Sequence, residues 1–245
     1  MFHVMTLILA IAIAISACRT AGSAPSSGLK VVGGGPAGES FPSVQILRVG
    51  WQLCSGTFIS PSHFLTAAHC VRSDAGVDAA LDDIHVGTDG ETPVSMAIHP
   101  AYGKGPRFEP DFDVAVLTVT AKQGRLAARI ARRPPRIYDV VSMVGFGATS
   151  RPSLFPSFAK SVGTNSIAQF TGSRVIVANH SNRLTQGSVL LGPGDSGGGW
   201  FNQDGDLIAV SSSGTDRFSE AVLVADRVVL PFVQDSIVSR ADGSM

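Results

Sequence analysis

Three short segments, far apart in the chain, hold residues whose chemistry is complete only if the fold brings them together. They are Leu65-Thr66-Ala67-Ala68-His69-Cys70, Asp113-Val114-Ala115-Val116-Leu117 and Gly192-Pro193-Gly194-Asp195-Ser196-Gly197-Gly198. A serine hydroxyl is a weak nucleophile at neutral pH. Hydrolysis through Ser196 therefore requires an imidazole, His69, to take its proton and a carboxylate, Asp113, to hold that imidazole in the right tautomer. Any fold open to this chain must converge loops from both halves of its length.

The intervening sequence offers strands for that purpose. Short apolar runs broken by Gly, Pro, Ser and Asp recur at Ser43–Val49, Cys54–Ser60, Phe64–Ala67, Ser95–His99, Val114–Val119, Val140–Val144, Lys160–Ile167, Arg174–Val177, Leu207–Ser212 and Ala221–Ala225. Many short strands between turn signals indicate an all-β barrel or sandwich rather than βαβ units. Only Pro231–Ser239, with Phe232, Val233, Ile237 and Val238 at helical spacing, reads as a helix. With 245 residues and 44% hydrophobic content the chain can bury one large β domain or two small ones. Basic and acidic residues balance at 19 each, so there is no electrostatic basis for binding nucleic acid.

The N-terminus reads as an export leader. Val4–Ala17 is apolar but for Thr6 and Ser16, a run of about 14 residues where a bilayer span needs about 20. No Lys or Arg precedes it. Ile15-Ser16-Ala17-Cys18 resembles the lipobox of bacterial lipoproteins, in which the cysteine becomes a lipidated N-terminus and a membrane attachment; an ordinary signal cleaved nearby is the alternative. Residues 19–30 are small and polar, as in a linker or propeptide. The expected organisation is thus a leader over 1–18, a linker over 19–30 and a catalytic domain over 31–245, secreted, periplasmic or held at the cell surface.

His69, Asp113 and Ser196 occur in the order of chymotrypsin, which differs from those of subtilisin and the α/β-hydrolases. With Val31-Val32-Gly33-Gly34, Gly145-Phe146-Gly147 before the second barrel and Ser211-Ser212-Ser213 along the cleft, the chain resembles the trypsin-like serine peptidases from residue 31 to about 235. The resemblance implies two six-stranded antiparallel barrels and a C-terminal helix, His69 and Asp113 on the first barrel and Ser196 on the second. It implies a Cys54–Cys70 disulfide, which would stabilise by roughly 3 kcal/mol in the chain-entropy model and needs an oxidising compartment. It also implies that an activating protease cuts after Lys30, freeing a Val31 ammonium to pair with Asp195, and that the substrates are proteins or peptides.

Individual residues sharpen this picture. Asp113 precedes a buried-strand pattern and points inward, whereas Asp111 reads as a solvated loop acid. The Gly194 and Ser196 N–H groups are candidates for stabilising an oxyanion, because flanking glycines reach backbone angles that a Cβ resists. Leu190 stands where trypsins place the aspartate that receives Arg or Lys, and Ser211, Ser213 and Ala221 are candidate pocket walls. An apolar P1 side chain of small or medium size follows. His63, His85, His99 and His180 read as loop residues, His3 lies in the leader, and no pair has the spacing of a zinc site, so neither metal nor other cofactor is expected. Two other functions keep the same residues: an idle peptidase-like interaction protein, and an esterase using the same triad.

Overall fold

The computed structural model describes residues 34–103, 111–148, 158–178 and 189–238. Cys18, Lys30, Val31 and His180 lie outside them. Six strands build the first sheet: β2 (Val44–Val49), β3 (Gln52–Phe58), β4 (His63–Thr66), β5 (Ile84–Val86), β6 (Ser95–Ile98) and β7 (Ala115–Thr118), in the order β5-β2-β3-β4-β7-β6. The second sheet holds β1 (Gly35–Pro36), β8 (Val140–Gly145), β9 (Ser161–Thr171), β10 (Arg174–Ala178), β11 (Gly199–Phe201), β12 (Leu207–Gly214) and β13 (Phe218–Leu223). Its order is β1-β9-β10-β13-β12-β11-β8, and pairing of β8 with β9 closes six of these strands into a barrel, with β1 laid along β9. The first sheet has no ladder between β5 and β6. Helix α1 (Val229–Val238) follows the second barrel, and no described helix is long and apolar enough to cross a membrane.

Side-chain alternation explains the strands. In β9, Ser161, Gly163, Asn165 and Ile167 face inward while their neighbours face out, the period-2 pattern of a half-buried strand. The inward polar residues are satisfied or minimal. Asn165 Nδ2 donates to the Val189 carbonyl at 2.8 Å, and a Cβ at Gly163 would lie 2.3 Å from a Val189 methyl, so only glycine fits there.

Each barrel has its own apolar core. Leu47, Phe64, Ile84 and Leu117 fill the first, and Met143, Ile167, Trp200 and Ile208 the second. A further cluster spans the seam: Ile46, Leu65, Val114 and Val116 meet Val144, Phe201, Leu207, Val210 and Val222, with Val229 and Val233 of α1 sealing one end. Each such side chain contributes about 1.5–3 kcal/mol on burial, so the two barrels hold a fixed relation and the loops between them are positioned rigidly.

Differences from the sequence reading have local causes. The strands β1, β5 and β11 are too short to leave a pattern, and they exist because neighbours pair with them. The β13 strand begins at Phe218 rather than Ala221, because Glu220 is neutralised by contacts from other strands. Helix α1 starts two residues early: Asp226 Oδ1 accepts the Val228 and Val229 N–H groups at 2.8 and 3.4 Å, and Pro231 falls in the first turn, where its missing donor is harmless. Gly145 ends β8 and so belongs to the second barrel instead of preceding it. His63 and His85 lie on strands β4 and β5, not in loops, and His99 is buried just after β6.

Cys54 and Cys70 form a disulfide that ties β3 to the turn carrying His69. Reduction, or a Cys54→Ser/Cys70→Ser double variant, is expected to lower unfolding free energy by roughly 3 kcal/mol, read from denaturant midpoints with and without reductant. A change below about 0.5 kcal/mol would show that the seam cluster alone holds this turn.

Candidate active site

His69 sits in a short 3-10 turn, Ala68–Cys70, directly after the edge of β4. The fully buried Ala67 and Ala68 let this turn lie close against the seam. Its Nδ1 is 2.7 Å from Asp113 Oδ2, and because a carboxylate can only accept, the proton is on Nδ1 and Nε2 is the free base. Burial pulls the imidazole pKa down, but the hydrogen bond and charge of Asp113, with the charge of Asp74, more than offset this and leave it above its ordinary value.

Asp113 is 2% exposed and receives three donors. Besides His69 Nδ1, the His69 backbone N–H donates to Oδ1 at 2.9 Å and Ser212 Oγ to Oδ2 at 2.6 Å. Burying a carboxylate is costly unless its lone pairs are occupied, and this set occupies them. The role of Ser212 was not legible in sequence, where the Ser211-Ser212-Ser213 run carries no mark that singles out its middle member. Asp111, expected as a solvated acid, is instead ion-paired to Arg174 of the second barrel at 2.8 Å.

The loop around Ser196 is pinned by its carbonyls. Pro193 O accepts the Ala148 N–H at 2.7 Å and Asp195 O accepts the Gly198 N–H at 2.9 Å. In a trans peptide the C=O and the following N–H point in opposite directions, so the Gly194 and Ser196 N–H groups face away from those anchors. Neither donates to a described residue. Gly194 and Gly197 adopt φ of +98° and +82°, open to glycine and resisted by other residues. The first barrel holds the loop from beneath: Ser55 N–H donates to Ser196 O at 2.7 Å and Ser55 Oγ to Gly194 O at 2.8 Å. Ser196 Oγ has no hydrogen-bond partner among the described residues.

Asp195 points the other way, 1% exposed, with its carboxylate oxygens accepting the Gly147 and Gly192 N–H groups at 2.8 Å each. A Cβ on Gly145 or Gly147 would come within 2.4 or 2.3 Å of this carboxylate, which gives the Gly145-Phe146-Gly147 motif its physical reason. Burial pushes the Asp195 pKa up to about 7, against the pull of those two N–H groups.

Of the expected pocket residues, Ser211 and Ala221 are cross-strand neighbours and Leu190 shares the second core with Ala221. Leu190 is 2% exposed within the second core, Ala221 is fully buried, and Ser211 Oγ accepts the Trp200 indole N–H at 2.9 Å. Ser213 is exposed, its hydroxyl donating to Glu220 Oε2 at 3.1 Å. Gly214, rather than Ser213, faces Leu191 and Ser219: a Cβ there would be 3.2 Å from Ser219 Oγ and 3.5 Å from Leu191 Cβ.

Two other groupings of polar side chains are engaged within the fold. Cys54, His69 and Cys70 lie within 4.8 Å of one another, but the disulfide engages both sulfurs and leaves no thiolate for a metal. A cavity of about 550 Å³ between β6 and α1 contains His99 and Ser236 and is larger than the 280 Å³ cavity that adjoins His69. There, His99 Nδ1 accepts from Ala101 N–H, the ring hydrogen-bonds the Val228 backbone, and Ser236 Oγ donates to Phe232 O.

The family model described as Trypsin matches residues 31–228. This chain belongs to the trypsin family. It is 24% identical over 205 residues to a trypsin of Saccharopolyspora erythraea, covering 75% of this chain and 86% of the relative. It is 29% identical over 157 residues to human kallikrein-2 (Homo sapiens), covering 60% of this chain and 56% of the relative. Among solved structures, neuropsin, a serine protease expressed in the limbic system of mouse brain, superposes with a TM-score of 0.65 at 17% identity, covering 81% of this chain and 96% of the other. A Glu endopeptidase in complex with MPD gives 0.63 at 16%, with 80% and 91% covered. At those identities the trypsin-family member shares their fold, all-β with a C-terminal helix.

Proposed function

We propose that this trypsin-family protein is an exported serine endopeptidase that hydrolyses proteins or peptides through an acyl-enzyme on Ser196. The observation that carries the reading is the Asp113 carboxylate, buried under His69 with three donors on it. His69 Nε2 takes the Ser196 proton as Oγ attacks the scissile carbonyl, the developing oxyanion is met by the Gly194 and Ser196 N–H groups, and imidazolium protonates the leaving amine. Water then repeats the sequence on the ester. Labelling of Ser196 by a fluorophosphonate tests the reading against an idle scaffold, and absence of label on folded, processed protein would overturn it. An ester substrate would pass through the same steps, so a peptide library decides between peptidase and esterase.

Specificity and activation are further parts of the proposal. Leu191 with buried Leu190 behind it presents no acid to a P1 side chain, and the nearby Glu220 is engaged by Arg174 and Ser213. An ammonium or guanidinium would be buried without a partner, at a cost that favours apolar P1 residues. Asp195 has no cation among the described residues, and a Val31 ammonium released by cleavage after Lys30 would supply one. With a lipid on Cys18, the same cut would free the enzyme from its anchor. Both parts are checked by profiling cleaved protein and an uncleaved Lys30→Gln variant on a mixed peptide library. The cleaved form is expected to show higher kcat/KM for Val, Leu or Ala at P1 than for Arg or Lys, and the uncleaved form little activity. A preference for Arg would refute the pocket, and full activity of the uncleaved variant would refute the activation step.

A further inference from the structure

Arg174 opens β10 on the second barrel, and its guanidinium reaches carboxylates from two different parts of the fold. Nε donates to Asp111 Oδ1 at 2.8 Å and Nη1 to Glu220 Oε2 at 2.8 Å, the oxygen that also accepts the Ser213 hydroxyl. Side-chain exposures of 17% for Arg174, 21% for Asp111 and 11% for Glu220 put the cluster between a solvated surface pair and a sealed one. Exposed ion pairs contribute little, whereas removing the shared cation here would leave two poorly solvated carboxylates facing each other. Gly172, in the turn before β10, keeps open the space that the Asp111 carboxylate fills: a Cβ there would lie 3.1 Å from Asp111 Oδ2.

What Asp111 begins is the turn Asp111-Phe112-Asp113. Phe112 has φ of +64°, a left-handed backbone that a residue with Cβ adopts at a cost of about 1–3 kcal/mol and keeps only where its surroundings impose it. From the first barrel, the Val114 N–H donates to Phe112 O at 2.7 Å, and the Phe112 ring stacks on His99 with centroids 4.8 Å apart. From the second barrel come Arg174 on Asp111 and Ser212 on Asp113. The strained residue thus stands between two anchored acids, one held by Arg174 and the other holding His69.

We propose that Arg174 is a positioning residue for the carboxylate of Asp113: it clasps the strained turn across the seam between the barrels, so that Asp113 meets His69 and Ser212 together. The inference rests on the reading of His69, Asp113 and Ser196 as a hydrolytic triad. It concerns a residue that touches neither substrate nor the reacting atoms. Its effect is carried by the backbone from Asp111 to Asp113, and a misplacement of the order of 1 Å there costs up to about 10²-fold in rate.

The test compares processed parent protein with Arg174→Met, Arg174→Lys and Asp111→Asn. Kinetics on a peptide substrate are read beside the downfield proton resonance of His69 Nδ1–H, which reports the bond to Asp113 without requiring turnover. Arg174→Met is expected to lower kcat by about tenfold to a hundredfold on a peptide with an apolar P1 residue, and to shift or broaden away the His69 resonance. Arg174→Lys should recover part of both. Asp111→Asn, which keeps the Arg174–Glu220 pair, should move both in the same direction by a smaller, several-fold amount and serves if Arg174→Met does not fold. Unchanged kcat and resonance in folded Arg174→Met, or in Asp111→Asn if that alone folds, would overturn the clasp, as would a fall in melting temperature with neither readout moved. If the parent itself fails to turn over or to label at Ser196, the triad reading falls, and the resonance still decides whether Arg174 places Asp113.

Discussion

Replacing Ser196 with Ala is expected to abolish turnover, by a factor on the order of 10⁶ in kcat, and to leave the fold intact. In the proposed mechanism the hydroxyl is the nucleophile, so no neighbouring group substitutes for it. Its removal costs the structure little, because Ser196 is partly exposed and its Oγ is bonded to no described residue, while the backbone around it is fixed by the Ser55 N–H on Ser196 O and the Gly197 N–H on Ser211 O. Unfolding free energy should therefore stay within about 0.5 kcal/mol of the parent. The measurement is burst-free hydrolysis of a peptide substrate beside a thermal or denaturant melt. Residual activity within tenfold of the parent would sink the assignment of Ser196.

Replacing Asp113 with Asn should cost on the order of 10⁴ in turnover, and the contacts around Asp113 explain why the loss cannot be evaded by turning the amide over. The His69 backbone N–H can only donate, so it keeps the asparagine carbonyl oxygen at the Oδ1 position. The NH₂ group then falls opposite His69 Nδ1. To accept from it, Nδ1 must give up its proton, which moves to Nε2 and removes the base that Ser196 needs. Ser212, which donates to Oδ2 in the parent, must also reverse its hydroxyl. The His69 pKa should fall as well, since the bond and charge that raise it are lost. A decrease in kcat/KM of less than tenfold would show that the imidazole is oriented by something other than Asp113.

What the chain carries in its own order of residues is mostly local. The Gly194-Asp195-Ser196-Gly197 run selects backbone angles that only glycine reaches easily, and that choice is made within the loop itself. The alternation along β9 and the apolar runs of β2, β4 and β7 follow from side-chain size and polarity at neighbouring positions. Strands of that kind were legible without knowing their partners. His69, Asp113 and Ser196 stood out as a candidate triad for a similar reason: each lies in a segment of distinctive local composition, and the chemistry of serine demands the other two.

The tertiary structure decided what depends on register between distant strands and on packing across the seam. Ser211, Ser212 and Ser213 are chemically identical, yet one bonds Trp200, one bonds Asp113 and one reaches Glu220, because successive side chains face different neighbours once β12 is paired. Leu191, Gly214 and Ser219 come together for the same reason. Asp111 looked like a solvated acid until folding placed Arg174 against it, and the same Arg174 pairs with Glu220 inside β13. Local sequence sets backbone conformation through sterics, but which charge meets which partner is settled by contacts between residues far apart in the chain, and only the assembled barrels make those contacts.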